Sequence, residues 1–329
     1  MADRDGDGWV RCAQGHRHWG RYGAAGLLAY VPGDGSGGTV LLQRRSWWGN
    51  HPGTWGPPGG ARDSHESAVT AALREAAEEC GLPPDQVRVA GILRDDHGGW
   101  SYQTVTAAAR KAFAVHSASA ETSEVGWVPE DEVGRLALHP GFAAQWPVLR
   151  ASLLRLTVIV DVANVMGSRA DGWWRDLAGA AVRLHGELVL LAGRGVPELP
   201  ASMAAPAMER WFPCFVLVLE GAARAALDDL AAQPRWSLDV QPGGRGDGEQ
   251  GGRGDGEQGG RGDGEPGGSR DMSRVRVVAA GGSGDDLIAD LAARTPGRRL
   301  VVTADRDLRS RCAAAGASVT GPRWLLGLL

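Results

Sequence analysis

Lysine is almost missing from this 329-residue chain: of its 35 basic residues only Lys111 is one, and the rest are arginine. With 50 glycines and abundant alanine alongside, the skew reads as a genome-wide codon bias rather than an RNA-binding signature. The formal net charge of −4 gives no general pull toward nucleic acid or anionic lipid. Cysteine is scarce as well. Cys12, Cys80, Cys214 and Cys312 lie far apart with no CxxC pair, which points to reduced thiols in a cytosolic setting. Long apolar runs are absent: Asp161 breaks LTVIV and Glu220 breaks FVLVL, so no segment is expected to span a membrane. The opening MADRDGDGWVR is acidic and lacks the apolar core of a signal peptide. A cytoplasmic protein is expected.

What is present is ordinary globular material, 43% hydrophobic and 22% charged, long enough for two domains. Residues 1–18 read as a flexible polar lead-in. DRDGDG begins like a calcium loop, but Gln14 stands where the closing glutamate is needed. CAQGHRH offers Cys12, His16 and His18 as zinc-ligand types. A single cysteine with no second knuckle leaves that set incomplete, so no zinc site is expected from it.

From residue 19 to 154 the patterning predicts a first domain. GAAGLLAYV and TVLLQRR read as strands, as do VRVAGILRDD, SYQTVTAAA and EVGWV; FAAQWPVLRASLL reads as a helix. Strands and helices mix without strict alternation, which predicts a mixed sheet between helices. From 155 to 329 the pattern changes. LTVIVDVANV, CFVLVLEG, RVRVVAAG and RRLVVTAD each lead toward a helical segment, which predicts a parallel sheet with right-handed crossovers. Within this second domain, residues 243–268 hold the low-complexity repeat GGRGDGEQ, GGRGDGEQ, GGRGDGEP. With no apolar residue to bury, it is expected to be a disordered loop. Its RGD triplets (Arg245 to Asp247 and copies) read as products of the repeat rather than an adhesion signal.

The stretch GGARDSHESAVTAALREAAEECGL, residues 59–82, carries the chemistry. At 100° per residue, Val69, Ala72, Leu73, Ala76 and Cys80 form one buried stripe. Glu75, Glu78 and Glu79 fall together on the flank beside it, and Gly81 supplies a C-terminal stop. Three acids near a helix C-terminus oppose one another and the helix dipole. A divalent cation on oxygen ligands would reverse both penalties.

Gly60, five residues, Glu66, seven residues, then Arg74-Glu75-Ala76-Ala77-Glu78-Glu79-Cys80-Gly81-Leu82 resembles the complete Nudix box, with Ala76 where a bulkier aliphatic residue is usual. The resemblance spans about residues 20–150 and implies an α/β/α sandwich with a mixed sheet. It implies a hydrolase that cleaves the pyrophosphate bond of a nucleoside diphosphate-linked nucleotide substrate with Mg²⁺ or Mn²⁺. Carried onto this chain, it implies that Glu75, Glu78 and Glu79 hold the metals, that Arg74 braces them, and that Gly60 offers a carbonyl. One of the three glutamates, or Glu124 before GWV, would serve as base. Arg44 and Arg45 end a strand running toward the same loop and would contact phosphate or form a solvated edge. Trp47, Trp48, Trp55 and Trp100 would stack on a base or pack in the core. The GTWGPPGGA context resembles MutT-type members that clean damaged nucleoside triphosphates, with Pro57 in place of an aliphatic residue.

In the second domain, acids at strand ends should gather at the carboxyl edge of the sheet. They are Asp161 with Asn164, the pair Asp285 and Asp286, and Asp305 and Asp307 in VVTADRDL. This set resembles a PIN-like domain of the NYN type, which implies a second metal site and metal-dependent RNA cleavage. The plainer readings are a helix cap for Asp285, a turn for Asn164, and an RNA-binding or inert domain. A non-catalytic Nudix module that senses nucleotide and regulates the second domain is the rival for the whole chain.

Overall fold

The computed structural model describes residues 4–33, 37–47, 51–231, 238–240 and 274–329. Trp48 and the repeat at 243–268 lie outside the described residues. The chain runs β1 (Trp9–Arg11), β2 (Arg17–Trp19), β3 (Ala24–Val31), β4 (Thr39–Arg45), β5 (Trp55–Gly56), β6 (Gly59–Ala61), α1 (Ala68–Cys80), β7 (Val87–Asp96), β8 (Ser101–Ala109), β9 (Thr122–Pro129) and α2 (Pro140–Ser152). It continues through β10 (Leu156–Asp161), α3 (Val162–Gly167), α4 (Leu177–Arg194), β11 (Arg210–Trp211), β12 (Cys214–Leu219), α5 (Ala226–Ala231), β13 (Leu238–Val240) and β14 (Val275–Ala279). It closes with α6 (Gly284–Arg294), β15 (Arg298–Val302), α7 (Arg306–Ala314), β16 (Ser318–Thr320) and α8 (Pro322–Leu326).

The first sheet is mixed, ordered β11-β7-β8-β3-β4-β5, with β6 also on β3 and β9 on β4. Only β3 and β8 pair in parallel; the other ladders are antiparallel. β3 is apolar along nearly its whole length because both of its faces are covered. Ala25, Leu27, Ala29 and Leu41 pack with Ala68, Ala72, Ala76 and Cys80 of α1. Leu28, Tyr30, Val40 and Leu42 pack with Phe142, Trp146 and Leu149 of α2. The period-2 alternation of a strand sorts neighbouring residues into two cores. The result is the expected helix–sheet–helix sandwich.

The second sheet is wholly parallel, ordered β13-β14-β12-β10-β15-β16. Its central strands β10, β12, β14 and β15 are Val- and Leu-rich and largely buried. Val158 and Val160 of β10 face Leu184 and Leu188 of α4. Ile159 faces the other way, onto Ile288 of α6 and Leu308 of α7. From β10 the chain crosses to β12 on one side, and after β14 it returns across the sheet through α6 to β15 on the other side of β10. That creates a switch point at the carboxyl ends of β10 and β15, where such sheets form a crevice.

Two features depart from the sequence expectations. The lead-in expected to be flexible over residues 1–18 includes, in its described part, one strand and most of a second in an antiparallel ribbon, in which Trp9 faces Trp19 and Val10 faces His18. The ribbon is fastened to the sandwich: Ala13 N–H donates to Gly98 O at 2.8 Å and Arg21 N–H to Gly6 O at 2.7 Å. Backbone pairing, not apolar content, holds it, so composition alone misread it. The second departure is at residue 155, where the two sheets are not independent. β11 pairs with the β7 edge, Trp211 opposite Gly91, while its Trp211 side chain sits in the core beneath the parallel sheet. Among the described residues no helix is long and apolar enough to cross a membrane.

Candidate active site

Helix α1 is set by its ends. Ser67 Oγ accepts the Thr70 N–H at 3.1 Å. At the other end Gly81 adopts φ 65°, where a side chain would be strained. Gly81 N–H donates to Ala77 O and Leu82 N–H to Ala76 O, so a left-handed glycine closes the helix by satisfying its last carbonyls. The acids in the last two turns are thereby fixed against β6 and β4.

They are not equivalent. Glu79 is only 7% exposed. Its Oε2 accepts the Gln43 Nε2 and the Gly59 N–H, each at 2.8 Å. Burial outweighs those bonds and pushes its carboxyl up to about 7. Burial raises Glu75 as well, against the guanidinium of Arg74. Glu78 is the outermost of the three and pairs with Arg4 from the N-terminal segment. Arg74 organises the group. It grips Glu66 with Nε and Nη2, both at 2.7 Å, donates Nη1 to Glu75 at 2.6 Å, and gives Nη2 to Ala61 O at 3.0 Å. Glu78 lies 3.5 Å from the same Nη1. The Arg74 guanidinium therefore holds the Glu66 carboxyl below the usual range, and Glu66 in turn holds Arg74 protonated. Such a bidentate pair fixes geometry as well as charge.

The donor set suits a hard divalent cation. Three carboxylates line the β6–α1 corner, and burial disfavours the charged form of Glu75 and Glu79, a cost that a bound cation would offset. A Cβ at Gly60 would come 2.7 Å from the Glu75 carboxyl carbon, so the backbone there approaches as closely as glycine allows. Glu75, Glu78 and Glu79, with the Gly60 carbonyl, are the residues that would hold such an ion.

The other candidates disperse. Glu124 pairs with Arg44 across β4 and β9, its carboxylate 3.9 Å from the Arg44 guanidinium. Both side chains are exposed. Arg44 follows Gln43 in the strand, so this pair lies on the face away from Glu79. The structure thus does not bring Glu124 or Arg44 to the acid cluster. Arg45 is half-buried next to a register shift in the same ladder, near enough for its charge to act on Tyr102 and His139. Trp55 packs against the α2-side core. Trp100 stacks on His18 with ring centroids 4.0 Å apart, and Trp47 is 80% exposed. Two supports escaped the sequence reading, Gln43 and Gly59. The signal for Gln43 was a lone amide closing the apolar run of TVLLQ.

At the carboxyl edge of the parallel sheet a second cluster forms. Asp161, 4% exposed, accepts Asn164 N–H at 3.0 Å, Asn164 Nδ2 at 2.7 Å and the Thr303 hydroxyl at 2.7 Å. Thr303 Oγ1 accepts Asp305 N–H at 3.1 Å, and Asp305 caps α7 through Leu308 N–H at 2.7 Å. Burial raises the Asp161 carboxyl, with Glu220 adding to the effect. Burial also raises Asp285, and Asp161 and Asp305 push it further the same way. Glu220 joins this group, accepting the Gly284 N–H at 2.9 Å; the sequence showed it only as a break in an apolar run. Asp286 turns outward to Arg311 at 2.7 Å, and Asp307 is exposed in the first turn of α7. The α6 cap is Ser283, which accepts Asp286 N–H at 3.4 Å, so Asp285 is not the capping residue.

The family model described as NUDIX domain matches residues 23–151. A Mycobacterium tuberculosis protein named "Putative 8-oxo-dGTP diphosphatase 3" is 46% identical over 154 residues, covering 45% of this chain and 70% of that protein. A Bifidobacterium longum nucleoside triphosphate pyrophosphatase/Nudix hydrolase fusion protein is 41% identical over 152 residues, covering 45% of this chain and 32% of that one. Among solved structures, a Nudix hydrolase from M. smegmatis, RenU, is 46% identical over 44% of this chain and 93% of its own, with a TM-score of 0.42. With the box folded on α1 and a relative of this identity covered over more than two thirds of its length, the chain belongs to the Nudix family and is a Nudix hydrolase.

Proposed function

We propose that the first domain hydrolyses a purine nucleoside triphosphate between its phosphates, releasing a monophosphate, and that an oxidised purine nucleotide is its preferred substrate. The observation that supports the chemistry is the α1–β6 corner, where Glu75 lies against the Gly60 backbone, Arg74 braces Glu75 and Glu78, and Gln43 and the Gly59 N–H hold Glu79. The substrate class follows the mycobacterial relative, whose name gives 8-oxo-dGTP. When bound, Mg²⁺ or Mn²⁺ supplies charge neutralisation to the phosphates and acidifies water. The protein does the rest. Arg74 and Glu66 fix the acids in place, and Gln43 and the Gly59 N–H orient Glu79. Glu79, oriented by those two donors, is the carboxyl we assign to take up the proton of the attacking water. The test is kcat/KM for 8-oxo-dGTP against dGTP, ATP and dinucleoside diphosphates with Mg²⁺ and with chelator. A preference for the oxidised nucleotide supports the reading; equal or lower values for it than for dGTP refute the assignment.

A second reading concerns residues 155–329, which we propose form a PIN-like domain of the NYN type that cleaves RNA with a divalent metal. The buried Asp161, with Asp285, Asp305 and Glu220 around the switch-point crevice, favours it. Asp161→Asn keeps shape and hydrogen bonds but removes charge. It should abolish metal-dependent RNA cleavage while pyrophosphate hydrolysis continues, and undiminished RNA cleavage would refute the site. Tight nucleotide binding without turnover would instead favour the regulatory, non-catalytic Nudix module.

A further inference from the structure

The β1–β2 ribbon brings together four side chains that the sequence scatters. Cys12 lies in the ribbon's turn, His16 just before β2, His18 within it, and His97 on the separate turn between β7 and β8. One ligand atom from each lies within 4.8 Å of every other. Among the described residues, this is the group of His, Cys, Asp and Glu side chains that converges so closely. We propose that Cys12, His16, His18 and His97 form a structural Zn²⁺ site that fastens the N-terminal ribbon to the Nudix sandwich.

The polar atoms support a missing partner. His18 Nε2 and His97 Nδ1 are both buried and neither has a hydrogen-bond partner, a costly condition for an imidazole nitrogen unless something binds it. The other nitrogen of His97, Nε2, faces the Asp95 carboxylate at 3.4 Å. A carboxylate on the far nitrogen is the usual device for aiming an imidazole at a metal. His18 is held by stacking on Trp100 at an interplanar angle of 11°, and Trp100 is itself anchored by donating Nε1–H to Gly20 O at 2.9 Å. The thiol of Cys12 is buried at 6% exposure and unbridged.

The backbone forms a knuckle around this group. Cys12 N–H donates to His16 O at 3.0 Å and Gly15 N–H to Cys12 O at 2.9 Å, while Ala13 N–H donates to Gly98 O beside His97. Three imidazoles crowd one space, His18 and His97 with ring centroids 4.6 Å apart and His16 and His18 with centroids 6.3 Å apart.

One thiolate and three neutral imidazoles suit Zn²⁺, whereas Mg²⁺ takes oxygen. Four protein ligands leave no open position, which marks a structural rather than a catalytic ion. Zn–N bonds of about 2.05 Å and Zn–S bonds of about 2.3 Å set tetrahedral ligand atoms about 3.3–3.6 Å apart. The group therefore closes with side-chain shifts of about 1 Å. Just upstream, Gly6 N–H bonds Asp63 Oδ1 at 2.7 Å and Arg4 pairs with Glu78. An ion at the ribbon thus anchors the segment that reaches the catalytic acids. The sequence offered Cys12, His16 and His18 but not the fourth ligand, because His97 lies 79 residues beyond His18.

The test uses the full chain, purified without a polyhistidine tag, for elemental analysis and Co²⁺ substitution. Wild-type and Glu78→Gln protein should each carry one zinc per chain, and Cys12→Ser and His97→Ala should lose it. Co²⁺ should give tetrahedral d–d bands and a thiolate charge-transfer band that disappears when Cys12 is alkylated, as located by peptide mapping. That last reading needs only wild-type protein, so it stands even if a variant fails to fold. Zinc retained in Cys12→Ser and lost in Glu78→Gln would overturn the site, as would a cobalt spectrum without a thiolate band.

Discussion

Glu79 makes the strongest demand on the fold, and its protonation should be readable in stability. The ordinary carboxyl value is 4.5, and burial raises the native one to about 7. In metal-free protein the unfolded chain releases this proton first. Between those two values the native state binds more protons, so stability falls as pH rises through the window, with the loss complete above about 7. At 1.36 kcal/mol per unit the difference is roughly 3 kcal/mol. In Glu79→Gln the amide keeps an oxygen for the Gly59 N–H but cannot titrate. Urea unfolding of chelated wild type and variant from pH 4 to pH 8 should show the wild type losing roughly 3 kcal/mol relative to Glu79→Gln. Adding Mg²⁺ should remove the difference in slope, because the cation favours the ionised form. Parallel profiles for the two metal-free proteins would refute the reasoning.

Other residues give further expectations. Arg74→Met strips the bidentate partner from Glu66, whose side chain is 5% exposed, and should cost about 3–5 kcal/mol in urea melts; a loss under about 1 kcal/mol would show that the pair is not the brace. Thr303→Val removes the hydroxyl bonded to Asp161 and should lower stability by about 1–3 kcal/mol, whereas an unchanged melting temperature would contradict the buried network. Glu124→Gln should leave pyrophosphate hydrolysis at the wild-type rate, since Glu124 faces Arg44 on the other side of the sheet; a large fall in kcat would reverse that placement.

Much of the first domain was legible because its signals are local. The strands VRVAGILRDD and SYQTVTAAA coincide with β7 and β8, and Gly81 ends α1 as its position after the periodic stripe required. The box spacing placed Arg74 and the three glutamates on one helix. It did not reveal that Glu79 would be the buried one, because that depends on Gln43 arriving from β4. Burial of Trp55 and the outward direction of Glu124 were likewise illegible, since each is set by which face of β4 its partner occupies. In the second domain β10, β12, β14 and β15 announced themselves by apolar runs, those of β10, β12 and β15 leading into acids. Glu220 passed unnoticed because it becomes a neighbour of Asp161 and Asp285 only when β12 lies beside β10. The two-residue β11 has too little sequence to carry a period; its existence rests on the edge of β7 that it covers.

The central claim is that the carboxylates of α1 serve pyrophosphate hydrolysis, and monophosphate release by Glu78→Gln tests it most directly. Glu78 is the outermost acid, 40% exposed at its side chain, so the amide should leave the fold intact. With 8-oxo-dGTP and Mg²⁺, the wild type should release monophosphate and the well-folded variant should be slower by about two orders of magnitude or more. Near wild-type turnover in a folded Glu78→Gln protein would contradict the account.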